Sequence, residues 1–314
     1  MDSSKKKETL WRHIIKHKYL YLMLLPIIVW YIVFAYMPMY GVVMAFQKYS
    51  FHRGISSPFV GLDNFRQVFK LPEIFRAIRN TLIINSFMII LGSVVPIMFA
   101  ILLSEIRHAL YKKSIQTITY LPHFISWVAL AGIFGGLLTP QIGLINILLD
   151  KLGFEQIYFL ASEQHFRGIL IITGVWKSFG WGSIIYLAAI AGIDPALYES
   201  AAIDGANRFQ RILHITLPSI SNTFVIMLIL AIANITSSNT DQILNLISPL
   251  TYSTGDVIDT YIFRSLRAGR DFGFLAAVGL SKSIIQFSLL VVADRLARLT
   301  GQRGLFSNKE VAVR

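Results

Sequence analysis

An all-α, polytopic membrane protein with six transmembrane helices is what this sequence predicts, and three observations lead there. Of 314 residues, 54% are apolar and only 15% charged, and the mean hydropathy is +0.59. An average soluble domain is about 45–50% apolar and about 25% charged, so a water-facing surface could not hide this much apolar area without exposing aggregating patches. The apolar residues gather in six runs of roughly 20 residues, the length that crosses a bilayer. These runs are continuous rather than alternating, which favours helices over a barrel.

Taken in order, the runs cover residues 19–46, 81–103, 115–138, 168–190, 217–237 and 272–293. The first follows a basic flank, as a signal peptide would, but it is too long for a cleaved apolar region and no small-residue cleavage site follows. It reads as a retained helix. Pro26, Pro38, Pro96 and Pro122 lie in or near the spans. Each removes a backbone donor and predicts a kink. The expected organisation is a basic tail over residues 1–18, a six-helix transmembrane bundle over 19–300 with a polar loop at 194–218, and a short tail over 301–314.

The formal charge of +12 has to be placed before it is interpreted. With the N-terminus inside, sixteen Lys and Arg fall in inner segments and eleven in outer ones, while Lys177 and Lys282 fall within spans. This asymmetry predicts both termini in the cytoplasm. It also removes the nucleic-acid reading, because no single basic face remains. There is no cysteine, so disulfides, thiolate metal sites and cysteine nucleophiles are all excluded. A cysteine introduced at Ser57, in the first external loop, would report topology cleanly.

The loop between the fourth and fifth runs is the most informative segment. Asp194 and Pro195 form a helix start, Ala196 to Ile203 are helix formers, and Asp204-Gly205 supplies a turn. Ala206 to His214 resume a helix with Phe209, Ile212 and Leu213 on one face, and Leu217-Pro218 is expected to stop it and open the next span. The physics gives a helix-turn-helix beneath the membrane, with an apolar knob for a partner or for lipid.

Glu199, Ala201, Asp204, Gly205, Ala206, Ile215 and Pro218 match the EAA motif of importer permeases in the ATP-binding-cassette (ABC) superfamily, with Ser200 at the first alanine. Phe59-Val60-Gly61-Leu62-Asp63-Asn64-Phe65, Asn80-Thr81-Leu82, Trp176-Lys177 and Tyr186-Leu187-Ala188 extend the match along nearly the whole chain. The sequence thus resembles the six-span permeases of Gram-positive complex-oligosaccharide importers, which are related to the larger maltose permease subunit but lack its extra helices and large external domain. The resemblance implies a type I ABC importer permease fold in a bacterial cell membrane. It implies a second, similar permease, two ATPase subunits that bind ATP and Mg, and an extracellular solute-binding protein. Contact with the ATPases would fall to Glu199, Ala201, Ala202, Asp204, Gly205, Ala206, Phe209 and Pro218. This chain itself would hold no cofactor.

Candidate substrate-path residues are those that bind sugars by stacking and hydrogen bonding: Trp176, Lys177, Trp181, Asn234 and Lys282. Tyr120, Phe124 and Trp127 add aromatic surface in the third run. Asn234 needs a polar partner at membrane depth, and an intramembrane lysine is costly enough to suggest function. Lys177 could instead snorkel. Lys282 meets no acidic residue within the spans, so either an acidic sugar or a partner carboxylate from elsewhere would compensate it. Neutral and uronic-acid-containing, pectin-type oligosaccharides both stay open. The external stretch from Asp241 to Asp271 reads as a docking loop or a short surface helix. The sequence has no phosphate-cradling G-x-x-x-x-G-K-[ST] loop and no H-E-x-x-H, no metal cluster and no convincing nucleophile–base pair, so a non-enzymatic transport subunit is expected. Half of a dimeric secondary transporter, or a permease for another small polar solute, are the alternatives.

Overall fold

A computed structural model describes residues 15–237 and 239–299. The basic tail expected over residues 1–18 is described only from Ile15, and the expected tail 301–314 lies outside the described residues. The described residues form helices and turns, with one isolated antiparallel bridge, Gln47 to Phe59, and no strand.

In chain order the helices are α1 (Lys18–Tyr31), α2 (Asp63–Val68), α3 (Pro72–Ser104), α4 (Ala109–Phe124), α5 (Trp127–Leu138), α6 (Leu144–Lys151) and α7 (Glu163–Ala191). They continue as α8 (Pro195–Ile203), α9 (Arg208–Arg211), α10 (Leu217–Ala233), α11 (Thr240–Leu246), α12 (Tyr252–Gly255), α13 (Ile258–Arg267) and α14 (Phe272–Leu299). Five stretches are long and apolar enough to cross a membrane: Lys18–Phe46, Pro72–Ser104, Glu163–Ala191, Arg208–Ala233 and Phe272–Arg295. The third expected span is not one helix. It is the pair α4 and α5, bent by 102° at Ile125-Ser126. Pro122 deprives α4 of a donor in its last turn, and the Ser126 side chain accepts from Ala129 N to start α5. With that pair counted once, the described residues hold up to six candidate spans.

Two further expectations are corrected. Leu217-Pro218 does not stop the second helix of the loop between the fourth and fifth spans. α9 runs through a π turn at Ile212–Thr216 into α10, and Pro218 falls in the first turn of α10. A π turn is a place where the regular hydrogen-bond ladder is already interrupted. The stretch from Asp241 to Asp271 is not a surface loop with one helix. It folds inward as α11 to α13, where Gln242, Ile243, Val257 and Tyr261 are buried.

The described chain separates into two compact units, one of residues 15–68 and 270–280, the other of residues 69–269 and 281–299. In the first, α1 buries none of its residues, which carries no hydrophobic cost in lipid. The span continues as a π turn at Ile32–Tyr36 and a 3-10 stretch at Met37–Phe46. The segment Phe59 to Phe65 closes over its end. Val60 N donates to Phe46 O at 2.8 Å, and the buried Asn64 amide donates to Ala45 O and Gln47 O, both at 2.9 Å. Carbonyls at a helix end need outside donors, and Asn64 supplies two. Ser57 is buried here and accepts from Ser50 N, so Ser56, which is exposed, replaces it as the topology probe.

In the second unit α3 and α7 pack along each other. Gly182 lies against Pro96, and a Cβ at Gly174 would sit 2.7 Å from Met88 Cε. Ile84, Phe166, Leu170, Ile243, Leu246 and Val257 form the core. A polar network fastens the inward-folded segment to both helices. Asn80 Nδ2 donates to Ser253 O and Asp256 O, Arg167 donates to Asn80 Oδ1 and Thr254 O, and Thr81 Oγ1 accepts from Ile258 N. Burying that many polar groups is tolerable only because they are paired.

Candidate functional sites: a cavity between the spans and the loop after α7

The loop after α7 begins as its sequence indicates. Asp194 Oδ1 accepts from Ala196 N at 2.9 Å, and Pro195 takes the first turn of α8. The end of α8 explains the motif residues. Gly205 N donates to Ala202 O and Ala206 N donates to Ala201 O, at 3.2 and 2.9 Å, with Gly205 at φ +78°. This pair of bonds around a left-handed residue is the Schellman termination. Glycine takes that conformation without the Cβ penalty, so the Asp204-Gly205-Ala206 sequence follows from backbone chemistry. Asn207 and Gln210 then form a reciprocal capping box that starts α9, with bonds of 2.8 and 2.9 Å. Tyr198 and Thr216 share a hydroxyl–hydroxyl bond of 2.9 Å that ties α8 to the π turn.

The result is a hollow of about 320 Å3 whose lining includes Ala201, Asp204, Gly205, Ala206, Arg211 and His214. Glu199, Ala202 and Phe209 are exposed nearby, and Pro218 is exposed at the start of α10. Phe209 and Ile212 also line an apolar groove with Met98, Leu102, Ile220 and Phe224. Sequence reasoning missed Ile203, which is 87% exposed at the tip of α8. A large apolar residue directly before an Asp-Gly turn in a polar loop was the available signal.

A second concavity, of about 290 Å3, lies between α3, α7 and α10. Its polar lining is neutral: Asn85, Ser93, Ser178, Asn234, Ser237 and Asn239. Asn234 caps the end of α10 and donates to Leu230 O at 3.0 Å, as an amide at this depth must find a partner. Of the five expected path residues only Asn234 lines this cavity. Lys177, Trp176 and Trp181 lie on α7 but do not line it. Lys177 Nζ donates to Pro122 O, His123 O and Ile125 O at 3.0, 2.7 and 2.7 Å. Trp181 stacks on His123, with centroids 4.6 Å apart and planes at 3°, and Trp176 meets Phe134 edge-on. Lys282 has the partner that the spans alone did not offer. Its Nζ donates to Asp259 Oδ1 at 2.5 Å, a carboxylate carried in by α13.

A third hollow, of about 430 Å3, has Tyr252, Asp256, Phe263, Arg264 and Arg267 in its wall. Arg264 donates to Asp256 at 2.6 Å and lies 4.4 Å from the Tyr252 ring centroid. Burial alone would lower the Arg264 pKa, but the hydrogen bond to Asp256 and its charge outweigh that and hold the guanidinium above its ordinary value. Among the described residues no cluster of His, Cys, Asp or Glu could hold a metal ion.

Comparison with known proteins agrees with this geometry. The family described as "Binding-protein-dependent transport system inner membrane component" matches residues 92–303. The chain is 39% identical over 302 residues to the Polygalacturonan/rhamnogalacturonan transport system permease protein YteP of Bacillus subtilis (strain 168), across 96% of this chain and 94% of that protein. It is 39% identical over 292 residues to Protein LplB of the same organism, across 93% and 92%. A solved bacterial alginate ABC transporter, in complex with its alginate pentasaccharide-bound periplasmic protein, contains a chain that superposes with a TM-score of 0.87 at 38% identity, covering 95% of this chain and all of that one. Spans, loop and relatives converge: the chain belongs to the binding-protein-dependent transport system inner membrane components, as an all-helical ABC transporter permease and not an enzyme.

Proposed function

We propose that this chain is the permease subunit of an ATP-driven importer of acidic oligosaccharides, forming the translocation path with a second, similar permease. The observation that carries the reading is the cavity between α3, α7 and α10, membrane-deep and lined by neutral amides and hydroxyls. Such groups exchange hydrogen bonds with sugar hydroxyls as water is left behind. The cargoes in the relatives' names, polygalacturonan/rhamnogalacturonan and the acidic polysaccharide alginate, support the acidic class. Because Lys177 and Lys282 are engaged by partners within the chain, this cavity reads hydroxyls, and the carboxylates of the cargo are read elsewhere in the assembly.

ATP and Mg are held by two ATPase subunits, which receive α8 with Glu199, Ala202, Asp204 and Gly205, and the neighbouring Phe209. An external binding protein delivers the sugar. A dimeric secondary transporter would need an acidic residue for ion coupling, and no Asp or Glu lines the cavity. Affinity purification of the tagged chain from membranes is expected to bring two ATPase copies and one different permease. A homodimer without ATPase would overturn the reading.

Both termini are cytoplasmic in this reading. In the cysteine-free chain, Ser56→Cys is expected to react with an impermeant maleimide from outside in intact cells, and Ile203→Cys only after permeabilisation. The reverse pattern would invert the topology.

A further inference from the structure

The break in the third span has a holder. α7 presents Trp176, Lys177, Gly180 and Trp181 to it, residues that share one side of a helix by their spacing. An ammonium has three N–H donors and no acceptor, and Lys177 places all three on the carbonyls of Pro122, His123 and Ile125. These lie at the C-terminal end of α4, where carbonyls lack intrahelical partners and the helix dipole is negative. One helical turn on, Trp181 stacks flat on His123 and meets Phe124 edge-on at 5.5 Å. Between them Gly180 comes so close that a Cβ would sit 2.1 Å from Thr119 O. The same cluster reaches across the bend: Lys177 Nζ lies 5.6 Å from the Trp127 ring centroid, and Trp176 packs on Phe134.

We infer that Lys177 and Trp181 form a clasp that fixes the 102° joint between α4 and α5 to α7, and that they are positioning residues rather than sugar ligands. With its donors saturated, Lys177 has none left for a uronate. α7 carries the clasp on one side and the cavity residues Gly174, Ser178 and Gly182 on another, and it runs directly into the coupling loop at Asp194. A displacement of that loop therefore moves the joint together with α7. The geometry stands whether or not the cargo is a sugar.

The test uses the full-length chain in its purified assembly. Spin labels at Leu110 and Ile133, both exposed and on opposite arms of the joint, can be placed as the only cysteines. Pulsed electron–electron resonance is expected to give one narrow distance in the parent. Lys177→Met is expected to broaden or shift it, Lys177→Arg to restore it, and Lys151→Met, at an exposed lysine at the end of α6, to leave it unchanged. Transport of uronate and neutral oligosaccharides should fall by the same factor in Lys177→Met. If that variant does not assemble, Trp181→Leu, which keeps the ammonium, is expected to broaden the distance as well. An unchanged distance in both variants, or loss of uronate transport alone, would overturn the clasp.

Discussion

Replacing Gly205 with valine is expected to abolish substrate-stimulated ATP hydrolysis by the assembled transporter while leaving the chain in the membrane. Space is not the obstacle, since a Cβ at Gly205 would meet nothing within 4 Å. The obstacle is φ +78°, which costs an ordinary L-residue about 1–2 kcal/mol and a β-branched one more. A valine would escape by rotating the turn, and that breaks the bonds from Gly205 N to Ala202 O and from Ala206 N to Ala201 O. The hollow beside Asp204 would lose its shape with them. Gly205→Ala, without the branch, is expected to lose part of the stimulation. ATPase activity titrated with loaded binding protein distinguishes these results, and full stimulation in Gly205→Val would remove the loop from the coupling role.

Lys282→Met is expected to destabilise the chain and to reduce transport of neutral and uronate oligosaccharides alike. The pair with Asp259 is mostly buried, with side chains 16% and 22% exposed. Removing one partner of a buried pair costs about 3–5 kcal/mol, because the other charge stays behind unpaired. Among the described residues, Asp259 would keep a long contact of 3.5 Å from Thr240 Oγ1. The Lys282→Met, Asp259→Asn double variant should recover most of the thermal midpoint and of the transport, since it leaves no buried charge. Thermal unfolding of Lys282→Met, Asp259→Asn and the double variant gives the coupling energy directly. If Lys282→Met kept its stability and lost uronate transport alone, Lys282 would belong to a cationic sugar path.

The start and the turn of the loop after α7 were legible because their chemistry is local. Asp194 and Gly205 act on backbone groups two and three residues away, so residue type and spacing announce them, whereas the Asn207–Gln210 capping box went unread. The inward fold of residues 241–271 was not legible. Its α13 is strongly amphipathic, but where that apolar face is buried depends on Asn80, Thr81 and Arg167 from helices far away in sequence. Ser57 looked like an ordinary loop serine, yet bonds to Ser50 and Gly54 bury it.

By itself the sequence determined the medium, the helical class and the Asp204-Gly205 turn, since lipid burial, span length and local hydrogen bonding are set by runs of neighbouring residues. Only the tertiary structure decided which charges are free. Lys177 finds its carbonyls more than fifty positions earlier and Lys282 its carboxylate 23 positions earlier. Pro122 marked a kink, but the 102° turn depends on α7 supplying the ammonium and the indoles that hold it. A charge in a low-dielectric medium takes the nearest partner that folding provides, and proximity of that kind is created by packing rather than written in any one stretch of chain.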